Sequence, residues 1–389
     1  MSATCKEPKL RFREFSGEWE EKKLGEIGNI ITGTTPSTAN AEYYNGDKLF
    51  VTPVDIKDNR HIHFTATTLT DLGFSKGRAI EKDSVCFVCI GSTIGKVAQV
   101  TKTAVTNQQI NTIVPNQDNN SDFLYSLLFY KADKIKLLAG VQAVPQINKT
   151  AFSKLKFHFP PIKEQQKIAS FLSAVDSRIE QLIKKEQLLR EYKKGVMQKI
   201  FSGEIRFKDN DGSEFPEWEE KTIDETTNRY DNLRIPIASS ERIEGSTPYY
   251  GANGIQSYVQ GYTHDGEFIL IAEDGANDLK NYPVHYVNGK IWVNNHAHVL
   301  QAKEGISNNL FLKYAIQNIN FEPFLVGGGR AKLNANIMMK ILFLLPSTLK
   351  EQTKIANFLS SIDKKIEQTT KELNLTKEFK KGLLQQMFV

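Results

Sequence analysis

The chain has 389 residues, 40% hydrophobic and 24% charged, with a formal net charge of +5. That length allows two cores of ordinary size, and the composition is that of a soluble protein. Three cysteines (Cys5, Cys86, Cys89) are too few and odd in number for a disulfide framework and fit a reducing compartment. No apolar run approaches the ~18–20 residues that span a bilayer. The charged start MSATCKEPKLRFREF has no apolar signal region. A cytoplasmic chain without membrane contact is expected.

In chain order, the first segment has short strands and glycine turns. Ser84–Ile90 (SVCFVCI) reads as a buried strand ending at Gly91, and Phe123–Leu138 as a helix. Pro160 and Pro161 close a strand and permit only a helix start. From Glu164 the spacing predicts a helix of about 38 residues, roughly 57 Å long. Its heptad rows are Ile168, Val175, Leu182, Leu189, Val196 and Leu172, Ile179, Glu186, Lys193, Ile200. Gly203 stands at a plausible C-cap. Short strands follow again at Glu267–Ala272 (EFILIA) and Lys290–Val293, then a helix at Asn309–Ile319. Thr348 and Glu351 have capping-box spacing before a second long helix.

That last helix repeats the first. EQQKIASFLSAVDSRIE at Glu164 returns as EQTKIANFLSSIDKKIE at Glu351, an offset of 187 residues that never slips up to Phe201. The second rows are Ile355, Ile362, Thr369, Thr376, Leu383 and Leu359, Ile366, Leu373, Lys380, Met387. Neither seam is good alone: Leu182 and Leu189 match Thr369 and Thr376, whereas Leu373 matches Glu186. The two helices are therefore expected to pack on each other through Ile168, Leu172, Val175, Ile179, Ile355, Leu359, Ile362 and Ile366, leaving some seam for partners. Borders repeat too: Arg11–Phe12 as Arg206–Phe207, EWEEK at Glu18 and Glu217, and KFHFPPIKEQ echoed by ILFLLPSTLKEQ with a one-residue slip. The implied division is 1–159, 160–203, 204–345 and 346–389. The fold class is α/β (α+β), with two variable domains carrying twisted sheets and a pseudo-two-fold internal repeat. The helix segments 163–199 and 350–381 carry +4 and +3, leaving −2 elsewhere, so nucleic-acid affinity outside them needs local basic loops.

Catalytic chemistry is not legible. Cys86 and Cys89 have CxxC spacing, but three steps along a strand point to opposite faces. His61/His63 and His296/His298 are same-face pairs if on strands, and lack further ligands. No metal site is expected. Gly91–Lys96 is one residue short of a P-loop, and Val97 replaces the magnesium-binding hydroxyl. Asp55 and Lys57 lack the upstream acidic partner of a nuclease. The only Pro-Pro, Pro160–Pro161, has the wrong neighbours for an amino-methyltransferase motif. No GxSxG or Ser/His/Asp arrangement is present.

The doubled EQxKIAxFLSxxDxxIE helix resembles the conserved regions of specificity subunits of type I restriction–modification systems. So do GTTPSTANAEYYNG (Gly33–Gly46), GSTIGKVA (Gly91–Ala98) with TNQQINTIVPN (Thr106–Asn116), and YGANGIQSYV (Tyr250–Val259) with NNHAHVL (Asn294–Leu300). The resemblance covers essentially the whole chain. It implies two target-recognition domains, each reading half of a split site in double-stranded DNA. These would be separated by a pair of long antiparallel helices whose length sets the gap. It also implies two docked modification (methyltransferase) subunits and joining restriction (motor-nuclease) subunits. This chain would be a non-catalytic specificity subunit with no cofactor of its own, S-adenosylmethionine, ATP and Mg being needed by the partners.

Base readout favours Arg, Lys, Asn and Gln. The candidates in the first domain are Lys76 and Arg78 in SKGRA, Ser92, Thr93 and Lys96 after the apolar strand, and Gln142 and Gln146 in GVQAVPQIN. In the second they are Arg330, Lys332 and Asn334 in GGGRAKLN, with Tyr250 and Asn253 secondary. The slip aligns Gln146 with Lys332 and Asn148 with Asn334. Arg330→Ala is expected to weaken only the second half-site. Two alternatives stay open: a coiled-coil adaptor whose variable domains bind proteins, and a fused enzyme that acts alone.

Overall fold

The computed structural model describes residues 7–57, 59–140, 144–327 and 331–389. Its contacts divide the chain into two units: residues up to Lys185 together with Thr369–Val389, and Glu186–Gln368. Both boundaries fall inside long helices, Ile162–Phe201 and Leu349–Met387, so each unit contains a stretch of both. No helix among the described residues is long and apolar enough to cross a membrane.

In the first unit, the strand Glu20–Lys23 pairs with Lys156–Phe159 and brings the two borders of the variable segment together. A five-stranded sheet runs Gly28–Thr32, Ile110–Pro115, Val85–Val88, Val97–Val100, His61–Ile62. A four-stranded sheet runs Thr67–Leu69, Tyr44–Val51, Ala104–Thr106, Ala79–Ile80. The expected strand at Ser84–Ile90 is present as Val85–Val88, and the expected helix as Ser121–Lys136. Asn120 caps that helix by accepting from the Phe123 amide. In the second unit, Glu219–Thr222 pairs with Leu342–Leu345, the counterpart of the first border pair. A six-stranded sheet runs Thr227–Arg229, Ala297–Ala302, His264–Ala272, Val284–Val293, Glu244–Gly251, Gly254–Val259. The helix Asn309–Gln317 is capped by Asn308.

The helix seam closes within each unit. In the first, Ile168 and Leu172 share one core with Leu383, Leu384 and Met387. Ile179 and Leu182 form another with Leu373, and half-buried Val175 packs against both. In the second, Val196, Met197 and Ile200 share a core with Ile355, Leu359, Ile362 and Ile366. Rising numbers in one helix meet falling numbers in the other, so the pairing is antiparallel in both units. The mismatched seam is thereby resolved: Leu182 meets Leu373 rather than its own repeat partner, Thr369.

The polar residues of the repeated motif have defined work. Glu164, buried, receives Arg11 through two hydrogen bonds of 2.8 Å, and Glu351 receives Arg206 at 3.2 Å and the Trp218 indole at 3.1 Å. Gln165 accepts from the Asn120 amide and Gln352 from the Asn308 amide, both at 2.9 Å. The motif thus ties each long helix to the N-cap of the helix it packs on. Thr348 caps Glu351 at 3.3 Å, but the Glu351 carboxylate turns to Arg206 and Trp218 instead of completing a capping box. Gly203, at φ +78, follows the first long helix as expected.

Cys86 and Cys89 lie in separate cores. Burial pushes both thiols up to about 12. Gly91–Lys96 joins antiparallel strands and opens no helix, so the P-loop likeness carries no phosphate cradle.

Two outcomes follow. Glu351→Ala leaves Arg206 without its buried carboxylate and is expected to cost about 3 kcal/mol in urea unfolding; a loss under about 0.5 kcal/mol would contradict the anchoring role. In native protein, Cys86 and Cys89 are expected to resist a thiol reagent at pH 8 and to react on unfolding, as read by peptide mass mapping. Rapid labelling of either in the native state would show the strand to be misplaced.

Candidate nucleic-acid interface

In the first unit, the strand Val85–Val88 runs into a turn where Gly91 and Gly95 adopt φ +93 and +96, conformations that a side chain would strain. The segment carrying Gln146 lies antiparallel beside it. Gly91 N–H donates to the Pro145 carbonyl at 3.0 Å and Ile147 N–H to the Cys89 carbonyl at 2.8 Å. This places exposed Ser92 and half-buried Thr93 next to exposed Gln146. Lys96 is exposed, with its ammonium 3.4 Å from the Pro53 carbonyl. Arg78 joins the same rim by another route. It donates to the Thr32 carbonyl at 3.0 Å, and the following Gly33 amide bonds the Ile110 carbonyl. Lys76 is exposed at the C-cap of the short helix Asp71–Ser75. Gln142 lies outside the described residues.

The second unit reproduces the frame. The strand His264–Ala272 runs into Glu273, whose carbonyl accepts from the Leu333 amide at 2.7 Å. Lys332 bridges both Asp274 and Val326. Lys332 therefore occupies the place of Gln146, and Leu333 that of Ile147, as the slipped alignment expects. Asn334 is the N-cap residue of Ala335–Met338, as Asn148 is of Lys149–Ser153. Arg330 lies outside the described residues. The Lys332 ammonium is half exposed and pairs with Glu273 at 3.0 Å.

The secondary candidates have structural ties. Tyr250 is half-buried against Phe268, Val293 and their neighbours, and burial pushes its hydroxyl up. Asn253 uses both ends of its amide at the hairpin tip, donating to the Gly275 carbonyl and accepting from the Asn277 amide, each at 2.9 Å. It fixes the loop beside the strand end.

Sequence reasoning missed the charged cluster beneath Lys332. Asp231, Glu273 and His298 converge with ligand atoms within 4.8 Å, a geometry that could hold a metal. Here cations of the chain fill it: Arg234 lies 2.7 Å from Glu273 and 3.6 Å from Asp231, and Lys332 takes the other Glu273 oxygen. For both acids burial pushes the carboxyl up. His298 and Arg234 outweigh this, with Lys332 aiding at Glu273, and both end below the usual range. The motif NNHAHVL contains His298, but nothing local marks its partners. His296 lies in the turn before the strand and meets Asp274 at 2.5 Å, so the two histidines do not act as a pair. His61 meets Glu180 at 3.1 Å.

Comparison with known proteins gives this geometry its context. The type I restriction modification DNA specificity domain matches twice, over residues 16–190 and 216–377. A putative type I restriction enzyme specificity subunit of Haemophilus influenzae is 49% identical over 152 residues, 39% of this chain and 38% of that protein. The chain thus spans about two fifths of that relative's length in the alignment. The type I restriction enzyme MjaVIII specificity subunit of Methanocaldococcus jannaschii is 23% identical over 96% of this chain and 94% of its own. The crystal structure of a type I restriction–modification S subunit from M. genitalium shares the fold, with a TM-score of 0.70 and 20% identity over 98% of this chain and 99% of that one. With both variable segments matched by the same domain, the chain belongs to the family of type I restriction–modification DNA specificity proteins.

Proposed function

We propose that each unit reads one half of a bipartite, asymmetric site in double-stranded DNA, and that the chain recruits modification and restriction subunits to it in the cytoplasm. The observation that carries this reading is the matched pair Gln146 and Lys332: one frame position, two polar residues of different chemistry. A repeated frame with a changed reading residue is what two different half-sites require. The chain's part is recognition. Methylation with S-adenosylmethionine and ATP- and Mg-dependent cleavage belong, in this reading, to the partners.

The long helices support recruitment of two copies of one partner. Leu188 and Tyr192 are about half exposed one turn apart in the second unit, and Leu375 and Phe379 in the first. They are the same positions of the two repeats, 187 residues apart. Equivalent exposed apolar pairs suit equivalent docking by two modification subunits.

In a complex reconstituted with modification subunits, Gln146→Ala and Lys332→Ala are each expected to relax a different half-site, by roughly 1–3 kcal/mol of discrimination. Binding to duplexes altered in one half at a time measures this. Equal damage to both halves from either change would overturn the assignment.

A further inference from the structure

The two units support their reading segments from beneath with different chemistry. In the first unit the support is neutral. Thr32 Oγ1 donates to Asn111 Oδ1 at 2.7 Å, the Cys89 thiol also meets Asn111, and the Cys89 carbonyl holds the Ile147 amide. The offset of 199 residues that relates the two EWEEK copies takes Thr32 to Asp231. Strand register takes Asn111 to His298 and Cys89 to Glu273. The same three places therefore hold a charged set in the second unit.

His298 is 1% exposed. Its Nδ1 lies 2.7 Å from Asp231 Oδ2, and its Nε2 lies 2.8 Å from the Leu333 carbonyl oxygen. A carbonyl oxygen only accepts, and an ionised carboxylate only accepts. Both ring nitrogens must then donate, which makes the ring an imidazolium. The charged and titratable groups around it fit that state. Glu273 Oε2 lies 3.7 Å away and is shared with Arg234, while Lys332 takes Glu273 Oε1. Arg229 lies 3.8 Å from Asp231, and the His264 ring meets the Tyr230 carbonyl at 3.1 Å. The Asp274–His296 pair borders the cluster. Asp231 also accepts from the Val299 amide at 2.8 Å, which fixes it to the strand that carries His298.

We propose that His298, held as an imidazolium between Asp231 and the Leu333 carbonyl, is the positioning residue of the second unit's reading segment Lys332–Asn334. The first unit fills this place without charge, through Asn111. The consequence for DNA rests on the reading of these segments as base contacts; the clasp itself does not.

The test uses the full chain. Nitrogen-15 histidine spectra at neutral pH are expected to show both nitrogens of one buried ring protonated, with that signal absent in His298→Asn. Hydrogen exchange at Lys332 and Leu333 is expected to rise at least roughly tenfold in His298→Asn, while Ile147 stays unchanged. Adding Asp231→Thr recreates the Thr–Asn pair of the first unit and is expected to restore most of the protection. A neutral His298 ring, or unchanged exchange in His298→Asn, would overturn the proposal. If the variant loosens the whole unit, seen as faster exchange in Asn309–Gln317, the ring's protonation in the unaltered protein decides alone. With modification subunits and DNA, His298→Asn is expected to relax only the half-site that Lys332→Ala relaxes. Should the unaltered complex ignore both halves, the DNA reading fails and the exchange result still judges the clasp.

Discussion

A lysine set in an apolar helix seam needs an anion, and here the opposite long helix supplies one. Lys380, buried, meets Asp176 at 2.5 Å in the first unit. Lys193 meets Asp363 at 2.6 Å in the second. The two lysines are one position of the repeat, and the two aspartates are another. Sliding one helix along the other by a turn would part each lysine from its aspartate, at a cost of several kcal/mol. The pairs therefore fix register more than they add stability, as a single polar seam residue does in coiled coils.

Around each pair the units build different charge networks. Asp176 also receives Arg60, which reaches Gln99, Ser173 and Asp122 and stacks on the Tyr125 ring. Asp363 receives Lys313 and the Tyr314 hydroxyl as well as Lys193. Burial, and then repulsion from Lys193, pushes Lys313 down to about 8. Both networks reach into the variable segments, at Arg60 and at Lys313, so those segments are tied to the same register that the helices set. The Glu164/Gln165 and Glu351/Gln352 anchors do the same at the helix starts.

Much of this was legible because it repeats. Heptad rows placed both helices, and the one-residue slip placed Lys332 on Gln146. The opposite faces of Cys86 and Cys89 follow from strand geometry alone. What was not legible depends on contacts between distant residues. Lys193 and Lys380 read as interruptions of the seam because their aspartates lie on the other helix. Asp231 and Arg234 share one turn, but Glu273 and His298 come from two other stretches, and no local pattern links the three. Asn253, a secondary candidate, also has a structural task that the sequence did not show, since both ends of its amide bond loop 275–277. The capping box at Thr348 formed by half, since Arg206 offered the buried Glu351 carboxylate a stronger partner than a backbone amide.

The account holds that one duplicated frame carries two different readers. Its most direct test is to express this chain with the modification subunit of its system in a host free of adenine methylation, and to map modified adenines by long-read sequencing. The account predicts a single asymmetric motif of two short halves separated by a fixed gap. Modification of a palindromic or uninterrupted motif, or none at all with an active modification subunit present, would contradict it.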